Sequence, residues 1–286
     1  MKQISLITII VLINLTRVVS QTNDFGKISD EQWKISKCDF DSSSKAVIIF
    51  DIGETSIKGN KDVKNFDSEC ALTINFFVLS HTRHVRIKIL NNNDSLSFSF
   101  SLRSVDKRKD YLNSFKCLSQ WQENGVVSKN KLTQKVLKKV IDEKDGYALK
   151  LDLSGERAGS IIDIYYSIES TIFSELPMWN FSNDFPTIYS EINYCIPDFF
   201  EINKYSAILS NLSHESYNRE VKYRVSYEVA NGWNDKVYSY NDIYEKYSLR
   251  NILSSKKTNK SSILKLEVRT INFNTISSKQ ETWRKS

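Results

Sequence analysis

The chain has 286 residues, with 40 Lys and Arg against 34 Asp and Glu, 40% hydrophobic and 12% aromatic residues, 8 Gly, 3 Pro and 4 Cys. This length fits one large domain or two ordinary ones and buries most of the surface its unfolded chain exposes. The apolar content excludes a disordered chain, four cysteines exclude a disulfide-dense miniprotein, and the scarcity of Gly and Pro excludes collagen-like and linker polymers.

Residues 1–20 read as a signal peptide. Lys2 supplies a positive start, Ile4 to Leu15 is mostly Ile, Leu and Val, and Val18 and Ser20 stand at the −3 and −1 positions of a cleavage site. The apolar stretch is interrupted by Ser5, Thr8 and Asn14 and ends at Arg17, short of the roughly 20 residues that span a bilayer. Removing Lys2 and Arg17 takes the formal net charge from +6 to +4. The remaining basic clusters, Lys107-Arg108-Lys109, Lys138-Lys139 and Lys256-Lys257, are scattered among acids, which argues against a nucleic-acid partner. No later stretch is apolar enough to cross a membrane. The expected destination is the periplasm or cell envelope.

Residues 21–276 show the period-two alternation of half-buried strands. Val85, Ile87 and Ile89 alternate with polar residues, and after Asn91 to Asp94 so do Leu96, Phe98, Phe100 and Leu102. Phe115 to Trp121 runs into Asn124-Gly125 and Val126-Val127, a hairpin with a two-residue turn that accepts positive φ. Tyr147 to Leu153, a turn over Gly155 to Gly159, and Ile162 to Ile168 continue the pattern, as do Val221 to Val229 and Leu264 to Val268. Helical signal is confined to Lys131 to Ile141 and to Asp242 to Tyr247, where Tyr240, Tyr244 and Tyr247 fall at i, i+4, i+7. The expected fold is all-β: an antiparallel β-sandwich of about ten or more strands with one or two short helices. A break between two sub-sandwiches is placed near residues 200–220, and residues 277–286 read as a polar tail.

The residues carry little catalytic signal. His81 and His84 form an HxxH spacing, but strand residues three apart point to opposite faces and do not share a metal; surface or edge histidines are expected. Cys195 and His214 lack anything local that would activate a thiolate. Glycine-rich phosphate loops, a GxSxG elbow and an HExxH helix are all missing. No catalytic, cofactor-binding or metal-ligating residues are assigned. Cys38, Cys70, Cys117 and Cys195 allow three complete pairings, and free buried cysteines or one optional disulfide is expected. A ligand-stacking surface is placed on Trp233, Tyr238, Tyr240, Tyr244 and Tyr247, whose flat amphipathic rings suit a sugar or peptide.

Five blocks occur in order over residues 25–200: FGKIS from Phe25, AVIIFDIGE from Ala46, RHVRIKIL from Arg83, AGSIIDIYY from Ala158, and the stretch from Leu176-Pro177-Met178-Trp179 through Phe185-Pro186-Thr187-Ile188-Tyr189-Ser190-Glu191 to Ile196-Pro197-Asp198-Phe199-Phe200. They resemble the opening of the domain of unknown function 3857. That domain typically precedes a transglutaminase-like domain with a Cys–His–Asp triad in secreted proteins of Gram-negative bacteria. The sequence stops at Ser286 before any region that could hold the triad, and its own Cys and His residues match none of the triad's motifs. The resemblance therefore implies the non-catalytic N-terminal module, whose partner is a transglutaminase-like domain, an envelope protein or a glycan. The alternative is the front part of a split or truncated enzyme. The signature positions Arg83, Arg86, Gly159, Pro177, Trp179, Pro186, Tyr189, Glu191 and Pro197 are expected to maintain the fold, with Arg83, Arg86 and Glu191 forming an ion-pair ladder on one sheet face.

Overall fold

The structure, a computed structural model, describes residues 24–59, 77–91, 97–102, 110–132, 137–142, 146–170, 176–207, 211–229, 232–258, 262–272 and 277–284. The signal peptide expected over residues 1–20, and Cys70, lie outside the described residues. In chain order the elements are α1 (Asp30–Trp33), β1 (Ala46–Gly59), β2 (Phe77–Ile89), β3 (Ser97–Leu102), β4 (Asp110–Glu123), β5 (Val126–Leu132), β6 (Leu137–Asp142), β7 (Gly146–Asp152) and β8 (Ile161–Ser170). There follow β9 (Trp179–Asn180), β10 (Thr187–Pro197), β11 (Phe200–Ala207), β12 (Ser213–Val229), β13 (Gly232–Ile252), α2 (Ser255–Thr258), β14 (Ile263–Ile271) and β15 (Ser277–Arg284).

A nine-stranded sheet runs in the order β12-β13-β10-β1-β2-β8-β4-β5, with β15 pairing β13 off this path. Two three-stranded sheets, β11-β14-β9 and β3-β7-β6, complete the fold. Alternation on β2 shows how they stack. Phe77 and Leu79 enter a core with Trp179, Phe199, Phe200, Leu264 and Leu266. Val85, Ile87 and Ile89, on the same β2 face, enter another with Phe98, Leu151, Ile162 and Ile164. Both small sheets therefore cover one face of the large sheet, an all-β sandwich as the alternation predicts.

Two features depart from simple antiparallel pairing. The β1–β10 pair is parallel, which the long chain segment between these strands permits. On β1 the register to β2 shifts between Ile48 and Phe50. Ile48 lies opposite Ile87 and Asp51 opposite Val85, so this bulge returns Asp51 to the interior face, three residues after Ile48 instead of two.

The opposite face of the large sheet is covered by the segment before β1. Its single helical turn, α1, carries a capping box between Ser29 and Gln32. Ile28, Trp33 and Ile35 pack there against Ile49, Phe50, Ile161 and Tyr189. Burial on both sides explains why Ala46 to Phe50 is a continuous apolar run.

The Asn124-Gly125 turn has positive φ at both residues and joins β4 to β5, as expected. The strands flanking Asn91 to Asp94 instead enter different sheets, β2 pairing with β1 and β8 and β3 with β7. Among the described residues neither expected helix is present. Asp242 to Tyr247 lies inside the 21-residue β13, held by β10 on one side and β12 on the other; two ladders outweigh a weak helical spacing. In Lys131 to Ile141 the described parts are the end of β5 and the start of β6. Residues 277–284, expected as polar tail, form β15 beside the first part of β13. The nine-stranded sheet takes strands from both sides of residues 200–220.

Candidate functional site

The chemistry-bearing side chains collect in two buried networks, one on each face of β2. Strand alternation sends Arg83 to the interior of the sandwich and His84 and Arg86 to the face beneath the N-terminal segment. The expected ladder of Arg83, Arg86 and Glu191 is therefore not formed: the two arginines lie on opposite faces. Glu191 instead accepts from the Tyr189 hydroxyl and, at 2.7 Å, from Asn193 Nδ2, with Lys246 at 3.4 Å.

In the interior network Arg83 grips Asp51 with both arms, Nε to Oδ1 at 2.7 Å and Nη2 to Oδ2 at 2.5 Å. Asn183 donates to Asp51 Oδ2 at 2.9 Å and accepts from Arg83 Nη2 at 3.1 Å, closing the ring. The guanidinium lies 4.9 Å from the Trp179 ring and 5.6 Å from Phe98. Burial disfavours the charge of Arg83, but Asp51 and Tyr166 more than offset this, and its pKa is raised. The Trp179 indole donates to Ser190 Oγ at 3.2 Å. His81 Nδ1 stands 2.8 Å from Thr55 Oγ1. The bulge at Ile48/Phe50 is what brings Asp51 here; one residue of slip would send it to the other face.

The second network lies under the N-terminal segment. Asp163 accepts from His84 Nε2 at 2.6 Å, from Arg86 Nη2 at 2.8 Å and from the Gly26 amide at 2.5 Å. Arg86 also donates to the Asp24 carbonyl and to Gln32 Oε1. Lys88 reaches the Trp33 and Gly159 carbonyls. Burial pulls the pKa of Lys88 down. Burial also opposes ionisation of Asp163, yet His84 and Arg86 outweigh it and hold the carboxyl below its ordinary 3.8. A carboxyl depressed in the folded state contributes stability that is complete above its unfolded pKa and lost as pH falls through the folded one. The stability gap between the parent and Asp163→Asn, measured by denaturant unfolding, should therefore be constant near neutrality and shrink below about pH 4.

His81 is thus buried and His84 largely covered, its side chain 12% exposed, and both are hydrogen-bonded, where surface or edge positions were expected. Cys38, Cys117 and Cys195 are buried free thiols. Burial pushes Cys117 up to about 12 and Cys195 to about 11, the opposite of nucleophile activation. Cys195 faces Tyr244 and Asp242, while His214 stacks on Tyr247 at 4.4 Å and approaches Glu245. Among the described residues no cluster of His, Cys, Asp and Glu has metal-site geometry, and no helix is long and apolar enough to cross a membrane.

The expected stacking surface is mostly interior. Tyr238, Tyr240 and Tyr247 are buried, the last two in the core beside Phe199 and Tyr194. A strand turns such tyrosines to packed faces that a helical spacing would not. The side chain of Trp233 lies outside the described residues. Tyr244 is left, stacked at 4.7 Å and 3° on Tyr217, which is 64% exposed. Sequence reasoning missed Tyr217; its signal was the tyrosine-bearing strand opposite Tyr244.

The remaining signature positions lie in β9 and β10 and in the segments leading into β8, β9 and β10. Trp179 is buried on β9. Gly159 has a φ of +86° and passes its carbonyl to Lys88. The Pro186 carbonyl accepts from the Ile48 amide. Pro177 lies just before Trp179, and Pro197 closes β10 opposite Asp242. The Tyr189 ring packs under Arg250 at 4.7 Å.

No family model matches the chain, and no curated protein matches it. Among solved structures it is similar to a "putative protease" from Parabacteroides distasonis ATCC 8503, with a TM-score of 0.43 and 11% identity over 78% of this chain. The chain spans 40% of the length of that protein.

Proposed function

We propose that the chain is an exported, non-catalytic β-sandwich module of the cell envelope that binds or positions a protein, peptide or glycan. This is the role its resemblance to the N-terminal module of transglutaminase-like proteins implies. One observation carries the reading: the groups the sequence offers for chemistry serve as internal ties. Asp51 and Arg83 occupy each other and Asn183. Asp163, His84 and Arg86 fasten the N-terminal segment to the sheet. Cys117 and Cys195 are held as thiols. The ligand-facing element is then the Tyr217/Tyr244 stack, flat aromatic surface of the kind that peptides and sugars bury.

The test is equilibrium binding of the purified chain to peptide and glycan arrays, with Tyr244→Ala as the variant. Saturable binding to one class, weakened about tenfold by Tyr244→Ala with an unchanged circular dichroism spectrum, supports the module. Binding that Tyr244→Ala leaves intact removes the stack from the role. Hydrolysis or acyl transfer by the chain alone overturns the non-catalytic reading. Activity that appears only on adding a Cys–His–Asp domain supports the split-enzyme alternative.

A further inference from the structure

The two edges of the large sheet are built differently. At one end β5 is seven residues long and carries Lys129 and Lys131, the usual protection of an edge. At the other end β12 runs for 17 residues, paired to β13 along its whole length with no register shift and containing no proline. Residues 213–220 are exposed throughout. Among the described residues no strand occupies the outer side of β12. A long edge without proline or bulge presents a row of backbone donors and acceptors, the template for adding another strand.

We propose that the added strand is β12 of a second copy of this chain, laid antiparallel about a two-fold axis at Tyr217, so that two nine-stranded sheets become one. A two-fold axis normal to the sheet keeps each side chain on its own face, so only registers centred on a residue are allowed. Centring on Tyr217 sets Glu215 of each copy opposite Arg219 of the other, His214 opposite Glu220, and Ser216 opposite Asn218. No like charges face each other. Centres one residue away, at Ser216 or Asn218, make no opposite-charge pair at all. Tyr217 itself meets its symmetry mate, already held flat against Tyr244. The edge thus carries charges, as protected edges do, but in an order that complements itself.

The experiment is sedimentation equilibrium of the purified chain over a concentration series, with E215R, R219E and the swap E215R/R219E, each checked for fold by circular dichroism. Among the described residues Glu215 pairs within the chain with Lys246 alone, at 3.9 Å, both substantially exposed, so its loss costs the monomer little. The parent should show a monomer–dimer equilibrium. Each single reversal opposes like charges twice across the axis and should weaken it about tenfold or more, and the swap should restore it. Three results overturn the proposal: a parent monomeric at every concentration, a dimer indifferent to E215R, or a swap that stays as weak as the singles. A dimer broken by K222E but not by E215R also overturns it, since that pattern belongs to an axis at Val221. None of these measurements uses a ligand, so failure of the dimer is read apart from failure of the binding module, although Tyr217 serves in both.

Discussion

Replacing Arg86 by methionine should lower the unfolding free energy by about 3–5 kcal/mol, the range for removing one partner of a buried ion pair. Arg86 and Asp163 are both 0% exposed. The loss leaves the Asp163 carboxylate with His84 and the Gly26 amide alone. It also removes the donors to the Asp24 carbonyl and Gln32 Oε1, two ties of the N-terminal segment, and the contact of the guanidinium with the Phe50 ring at 4.8 Å. The double variant Arg86→Met/Asp163→Leu should cost less than Arg86→Met alone, because no buried charge is then left uncompensated. Guanidinium unfolding with the m-value monitored checks both. A loss under about 1 kcal/mol for the single variant, as for a surface pair, would contradict the assignment.

Trp179→Ala should also cost about 3–5 kcal/mol, the range for truncating a large core aromatic. Trp179 fills the junction of the two cores: it lies over Arg83, meets His81 and Phe181 edge-on, and bonds Ser190. It also explains Gly53. A Cβ at that position would stand 2.4 Å from Trp179 Cζ3 and 2.8 Å from Ile192 Cδ1, closer than real Cβ contacts. Gly53→Ala should thus be strongly destabilising in the parent and distinctly milder beside Trp179→Leu, which clears the ring. A double-mutant cycle by denaturant unfolding reads this coupling as more than about 1 kcal/mol. Additive effects would mean that the ring does not set the space above residue 53.

The periodicity of the chain carries its fold class directly. Alternation in Val85 to Ile89 and Ile162 to Ile168 fixes which side chains share a face, because the side-chain period of a strand is two whatever it pairs with. The same rule separates His81 from His84. Applied to Arg83 and Arg86, it would also have excluded their common ladder. The Asn124-Gly125 turn is equally local, since two adjacent positive φ angles demand such residues.

Pairing partners and coverage are not local. Alternation says that a face is buried, and the tertiary structure alone says what lies on it. His84 and Arg86 look like solvent-side residues of a half-buried strand until the N-terminal segment covers them. The bulge between Ile48 and Phe50 has no mark in an unbroken apolar run, yet it decides that Asp51 meets Arg83. The tyrosines of β13 fit a helical spacing, and ladders on both sides make them strand residues with core rings. By itself the sequence determined an all-β chain and the face of each strand residue, through the two-residue period. Only the tertiary structure decided which strands pair, which faces are doubly covered and so where the charges are buried, because those depend on contacts between segments far apart in the chain.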